Sequence, residues 1–126
     1  MLSKAKAKYV RMSPRKVRLV MELIKGKTVE DANAILGTVN KRASGPIKKV
    51  IDSAFANVNF DRQAKLLEKD VVISKLEAGG GPMLTRYRAA TMGRAAPIKH
   101  RTVHIGVELD AAAVETKTEN KQSESK

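Results

Sequence analysis

The chain has 126 residues, with 25 Lys or Arg against 13 Asp or Glu, a formal net charge of +12 and a pI near 10.2. Cysteine is absent, which excludes disulfides and thiolate metal sites, and aromatics make up 3% of residues, so single-strand binding through a stacking platform is not expected. No apolar run approaches the length of a membrane span or of a signal peptide's apolar region, so a soluble, intracellular protein with one modest core is expected.

The charge is unevenly spread. The first 21 residues hold seven bases and no acid, residues 28–77 hold eight bases and seven acids, and residues 78–107 hold five bases and no carboxylate at all. Two basic regions therefore flank a nearly neutral middle. Charge of this kind speaks to partners rather than to fold, and it points to a polyanion.

In chain order, Lys4-Ala5-Lys6-Ala7-Lys8-Tyr9-Val10 alternates lysine with small or apolar residues. In a strand this puts the three lysines on one face, either as a solvated edge or as a phosphate contact. Ser13-Pro14 predicts a helix start, with serine as N-cap. Val17, Val20, Met21 and Ile24 then mark a buried stripe that ends at Gly26. Arg15, Lys16 and Arg18 lie on or beside the opposite face. Cations in a first turn oppose the helix dipole, so local stability does not explain them.

Thr28 followed by Asp31 resembles a capping box for a short second helix carrying Ala32, Ile35 and Leu36. A third helix buries Ala43, Ile47, Val50, Ile51, Ala54 and Val58. Gly45-Pro46 favours its beginning near Ser44. Val71-Val72-Ile73-Ser74-Lys75-Leu76 reads as a strand, and Val103, Ile105, Val107 and Leu109 alternate as the buried face of another. The acid-free segment joins these two, which implies a long hairpin. At about ten residues per arm and roughly 3.3 Å per residue it projects about 33 Å. A two-stranded ribbon of that length is barely stable alone and needs a partner along it. Gly79-Gly80-Gly81-Pro82 reads as a break or bulge at its base.

Enzymatic signatures are missing. Gly26-Lys27-Thr28 resembles the end of a phosphate-binding loop, but the required upstream glycine position is Met21, inside a helix. His100 and His104 have no plausible third metal ligand. No pair of carboxylates is placed for acid–base work. A basic DNA-binding architectural or helix-turn-helix protein is the alternative reading. The second helix is short for a recognition helix, however, and has two acids near its start.

Three ordered blocks resemble the family of bacterial-type large-subunit ribosomal protein twenty-two. They are Tyr9-Val10-Arg11-Met12-Ser13-Pro14-Arg15-Lys16-Val17-Arg18-Leu19-Val20 with Ile24-Lys25-Gly26-Lys27, then Lys48-Lys49-Val50-Ile51-Asp52-Ser53-Ala54-Phe55-Ala56-Asn57, then Gly81-Pro82, Arg86-Tyr87-Arg88, Gly93-Arg94 and Lys99-His100-Arg101-Thr102-Val103-His104-Ile105. The resemblance implies an α+β fold, three helices packed on a three-stranded antiparallel sheet with a long protruding β-hairpin. One domain is expected over residues 1–110, with the hairpin at about 78–101 and a disordered polar tail at 111–126.

It further implies a cytoplasmic, non-enzymatic constituent of the large ribosomal subunit that acts in early assembly. Its expected partners are large-subunit rRNA, other large-subunit proteins including protein four near the tunnel constriction, and the nascent polypeptide. No cofactor, membrane or small-molecule substrate is expected. The expected rRNA-binding residues are Lys8, Arg11, Ser13, Arg15, Lys16 and Arg18 on the body, and Arg86, Tyr87, Arg88, Arg94, Lys99 and Arg101 on the hairpin. Met83, Leu84, Ala89, Ala90, Thr91, Met92 and Gly93 are expected to line the peptide exit tunnel. The tip departs from the family, which usually has a proline and an arginine where Ala89-Ala90 stand and often a basic residue at the position of Met92.

Overall fold

The computed structural model of the chain describes residues 2–62 and 65–112. Three antiparallel strands form the central sheet: β1 (Ser3–Val10), β2 (Val71–Gly80) and β5 (Val103–Ala111), in the order β1-β5-β2. Strands β3 (Leu84–Ala89) and β4 (Ala95–His100) form a separate two-stranded ribbon. Of the helices α1 (Pro14–Ile24), α2 (Val29–Thr38) and α3 (Ser44–Arg62), α3 packs on β1 and β5 and α1 on β2. A single 3-10 turn, Glu68–Asp70, precedes β2, and another, Thr91–Gly93, forms the ribbon tip. The α+β architecture expected from the sequence is the one observed.

Strand β5 is central because its alternation is strict. Val103, Ile105, Val107 and Leu109 are all buried, against the helices' Val17, Ile24, Ile47, Ile51 and Val58. Each such aliphatic side chain taken out of water contributes about 1.5–3 kcal/mol. Both neighbours of β5 carry one extra residue. In β2 the register passes from Ile73↔Leu109 to Lys75↔Glu108, leaving Ser74 unpaired. In β1 it passes from Ala7↔Ile105 to Val10↔Val103, so Lys8 and Tyr9 stand opposite His104 alone. Plain alternation would point Lys75 and Tyr9 at the helices. The bulges turn both outward, and Leu76 and Val10 pack on the core instead.

The helix boundaries follow from their end chemistry. Pro14 opens α1, where a missing N–H costs nothing, although the Ser13 side chain makes no capping bond. Gly26, at φ +74°, turns the chain after α1. Thr28 Oγ1 accepts from Asp31 N at 3.2 Å, as the capping pattern predicts. The same turn is tied to the sheet, since Ile73 N donates to Lys27 O at 3.0 Å. Helix α3 starts at Ser44, which puts Gly45-Pro46 in its first turn and removes any kink.

Two expected boundaries move. Ala78, Gly79 and Gly80 belong to β2, paired with Ile105, His104 and Val103, so the free-standing ribbon begins at Leu84. Six paired residues per arm span about 20 Å, shorter than the 33 Å expected. At the other end, Ala111 still pairs with Val71, and Ala112 N donates to Asp70 O at 2.8 Å. The sheet thus extends past the expected domain end at 110, and residues 113–126 of the expected tail lie outside the described residues.

Between ribbon and sheet, Gly81 N donates to Thr102 O at 3.0 Å and Thr102 Oγ1 donates to Pro82 O at 2.7 Å. A Cβ on Gly81 would overlap Thr102 Oγ1 and sit 3.1 Å from the His104 ring, whereas one on Gly79 would meet nothing within 4 Å. Gly81→Ala should therefore lower unfolding stability by about 1–3 kcal/mol. Gly79→Ala should change it by less than about 0.5 kcal/mol. Urea denaturation of the two variants is the measurement, and equal midpoints would contradict this account of the close approach.

Candidate nucleic-acid interface

Two arginines expected to face RNA also brace the hairpin root. Strand β2 is an edge strand, so one row of its carbonyls points away from the sheet. Arg18 Nε and Nη2 both donate to Ala78 O, at 3.1 and 2.8 Å, and cover that edge where β2 leaves the body. Arg11 Nη1 donates to Arg101 O at 3.1 Å in the link between β4 and β5. Each guanidinium stays exposed and keeps further N–H donors. Arg101 Nη1 in turn lies 3.8 Å from Met83 Sδ.

These braces bring the root beside α1 and the α2–α3 turn, and a cleft of about 820 Å³ lies between them. Arg11, Lys16, Lys99 and Arg101 line it together with Lys41 and Arg42, and among the described residues no carboxylate does. Its floor includes Met12, Val20 and the exposed Leu19 and Leu23 of α1. Ser13, whose hydroxyl caps nothing, also faces it. Lys41 and Arg42 were not legible as site residues, because in sequence they fall in the neutral middle. Only the fold sets them against the basic ends. Arg15 is exposed on α1 outside the cleft lining, and Lys8 is exposed on the sheet.

The ribbon has two faces. Pairing of Arg86 with Ile98, Arg88 with Ala96 and Leu84 with His100 puts two arginines on one side with no carboxylate opposite them. Pairing of Tyr87 with Pro97 and Thr85 with Lys99 puts Tyr87 and Lys99 on the other. The candidate hairpin contacts are therefore divided between opposite faces. At the tip, Met92 and Gly93 take positive φ values of 58° and 69°, and Ala90 N donates to Arg94 O at 2.7 Å. Met92 is 96% exposed. The expected tunnel-lining residues form two groups: Met83 and Leu84 lie at the root, and residues 89–93 lie about 17 Å away along the ribbon.

On the sheet face opposite the helices, Lys4, Lys6 and Lys8 are exposed as the alternation predicts. Lys75 Nζ pairs with Glu77 Oε1 at 2.6 Å and reaches Glu108 Oε1 at 4.0 Å. The bond from Lys75 holds the Glu77 carboxyl below its usual range and raises the Lys75 ammonium. Tyr9, at φ 57°, is a non-glycine residue in left-handed backbone, a conformation that costs on the order of 1–3 kcal/mol. Its N–H donates to His104 Nδ1 at 3.0 Å and its ring meets His104 edge to face at 4.9 Å between centroids. His104 is thus a packed residue of the root. Among the described residues no cluster of ligating side chains could hold a metal ion.

A small, strongly basic α+β body, carrying a ribbon that its own core does not cover, is the build of a protein incorporated into a larger ribonucleoprotein. The sequence model of the family described as "Ribosomal protein L22p/L17e" matches residues 5–110, and the chain belongs to that family of large-subunit ribosomal proteins. It is 46% identical over 110 residues to large ribosomal subunit protein uL22 of Syntrophus aciditrophicus, covering 87% of this chain and 98% of that one. It is 44% identical over 107 residues to uL22 of Halothermothrix orenii, covering 85% and 93%. To uL22 of Macrococcus caseolyticus it is 41% identical over 128 residues, with both chains fully covered.

Loss of a brace should be read at the root rather than in the core. Arg18→Ala should cost about 0.5–1.5 kcal/mol, a typical net hydrogen-bond value. It should speed amide exchange at residues 78–81 and 102 while leaving α3 unchanged. Hydrogen-exchange mass spectrometry of the free protein tests this, and uniform acceleration across α3 would contradict the assignment.

Proposed function

We propose that this structural constituent of the large subunit binds large-subunit rRNA through two connected surfaces, the basic cleft at the hairpin root and the two faces of the ribbon. The observation that carries the reading is charge without compensation. Lys75 pairs with Glu77 and Glu108, and among the described residues no cation of the cleft or the ribbon makes an ion pair. Uncompensated, exposed Arg and Lys at this density suit phosphate contact, and arginine's planar fork also stacks on bases. The ribbon's exposure on both faces supports a partner that surrounds it. In the assembled particle its tip, residues 89–93, lines the exit tunnel beside the nascent chain and near protein four, and the body supports early assembly in the cytoplasm.

The DNA-binding alternative has less support. The first turn of α2 exposes Glu30 and Asp31, which would face phosphates, and its start is tied to β2.

Binding to a full-length large-subunit rRNA transcript should weaken steeply with salt. Lys16→Gln and Lys41→Gln should each reduce the log–log slope by roughly 0.7–0.9, the value of one phosphate contact. Equal affinity for duplex DNA across the same salt range would overturn the rRNA assignment.

Function of the ribbon should separate from that of the body. Replacing residues 89–95 by a two-residue Asn-Gly turn, which joins the paired Arg88 and Ala96 without shifting the register, should keep the domain folded and bound to rRNA. In ribosomes carrying this variant, passage or stalling of nascent chains should change. Loss of rRNA binding, or unchanged behaviour of nascent chains, would refute the division.

A further inference from the structure

Folding does not explain the aromatic ring at position 9. The bulge in β1 takes Tyr9 out of the inward register and gives its place to Val10, leaving Tyr9 65% exposed. Glycine or asparagine would adopt φ 57° more readily than tyrosine. A strained, exposed aromatic residue calls for a reason outside the core.

Its surroundings supply one. The bond from Tyr9 N to His104 Nδ1 and the edge-to-face contact with the His104 ring fix the orientation of the side chain. The histidine ring lies over Gly81, where any Cβ would come within 3.1 Å, so the support is itself held. Lys6 and Lys8 lie on the same sheet face, and Arg11 follows two residues on. Glu77, the carboxylate of the adjoining hollow beside Lys6 and His104, is occupied by Lys75. A rigidly presented π-face bordered by cations matches an unpaired base carried on a phosphate backbone.

We infer that Tyr9, held by His104, is a stacking site for an unpaired nucleobase of large-subunit rRNA, with Lys6 and Lys8 meeting the flanking phosphates. This rests on the rRNA-binding reading above and adds a base contact on the sheet face, away from the cleft. A single such residue needs no wider aromatic platform.

The test uses the full chain with a full-length large-subunit rRNA transcript. Zero-length ultraviolet cross-linking followed by peptide mapping should place a nucleotide adduct on Tyr9. Tyr9→Phe should keep the affinity. Tyr9→Asn should lower it roughly 5- to 150-fold, the range for removing one stacked base. Because asparagine suits the backbone there, that variant should unfold at the same or a higher urea concentration. Its salt slope should match the unaltered protein, since stacking releases no counterions. The inference fails if Tyr9→Asn binds as tightly as the unaltered chain, or if Tyr9 carries no adduct in the bound state. It fails equally if the slope falls by about one phosphate, since Lys8 would then account for the loss. If the unaltered chain does not bind the transcript at all, the rRNA reading itself falls, a result distinct from the other three.

Discussion

The alternation of Val103, Ile105, Val107 and Leu109 is the constraint from which the rest of the structure takes its register. All four are buried and β5 has a partner on each side, so a one-residue slip would drive a row of aliphatic side chains into water. The two partners have imperfect patterns. Each reaches a point where alternation would bury the wrong residue, Lys75 in β2 and Tyr9 in β1, and each inserts one residue there. The bulges are the local adjustments that let two imperfect sequences serve one strict one.

The second layer of organisation concerns the point where the chain leaves the body. Residues 81–83 and 101–102 pass from the sheet to a ribbon that the core does not reach, so the junction is held by polar groups. Thr102 is buried and bonds across to Pro82, Gly81 lets the two segments close, and Arg11 and Arg18 reach out from the body to one carbonyl on each of the two chain crossings. The same two guanidinium groups remain exposed next to the cleft. Structure and proposed recognition thus share residues, and a substitution at either arginine acts on both.

What the sequence revealed and what it concealed divide along physical lines. Periodic burial was legible: the stripes of α1 and α3 and the alternation of β5 reproduce the observed core, because each rests on a repeat visible within one element. Ser44 as the start of α3 was legible from Gly45-Pro46. The bulges were not, since an extra residue shows only against a partner strand. Lys41 and Arg42 are not legible, because charge along the chain does not show that the α2–α3 turn folds back onto the basic ends. Arg11 and Arg18 were recognised as cations, but nothing local shows that a guanidinium has a backbone carbonyl in reach 60 or 90 residues away. In the sequence Tyr9 is one more apolar member of an alternating strand.

The brace at the root also acts as the fulcrum of a lever. The ribbon is joined to the body by two chain crossings and stands about 20 Å beyond them. A tilt of about 10° at the root moves the tip by about 3–4 Å, roughly one residue's rise along a strand. The position of Met92 is therefore set by bond lengths at Ala78 and Arg101, and small repacking beneath α1 would be magnified at the far end. Conversely, a load applied at the tip has its mechanical advantage at those carbonyls. The hydrogen bonds from Arg11 and Arg18 are where such a load would first be felt.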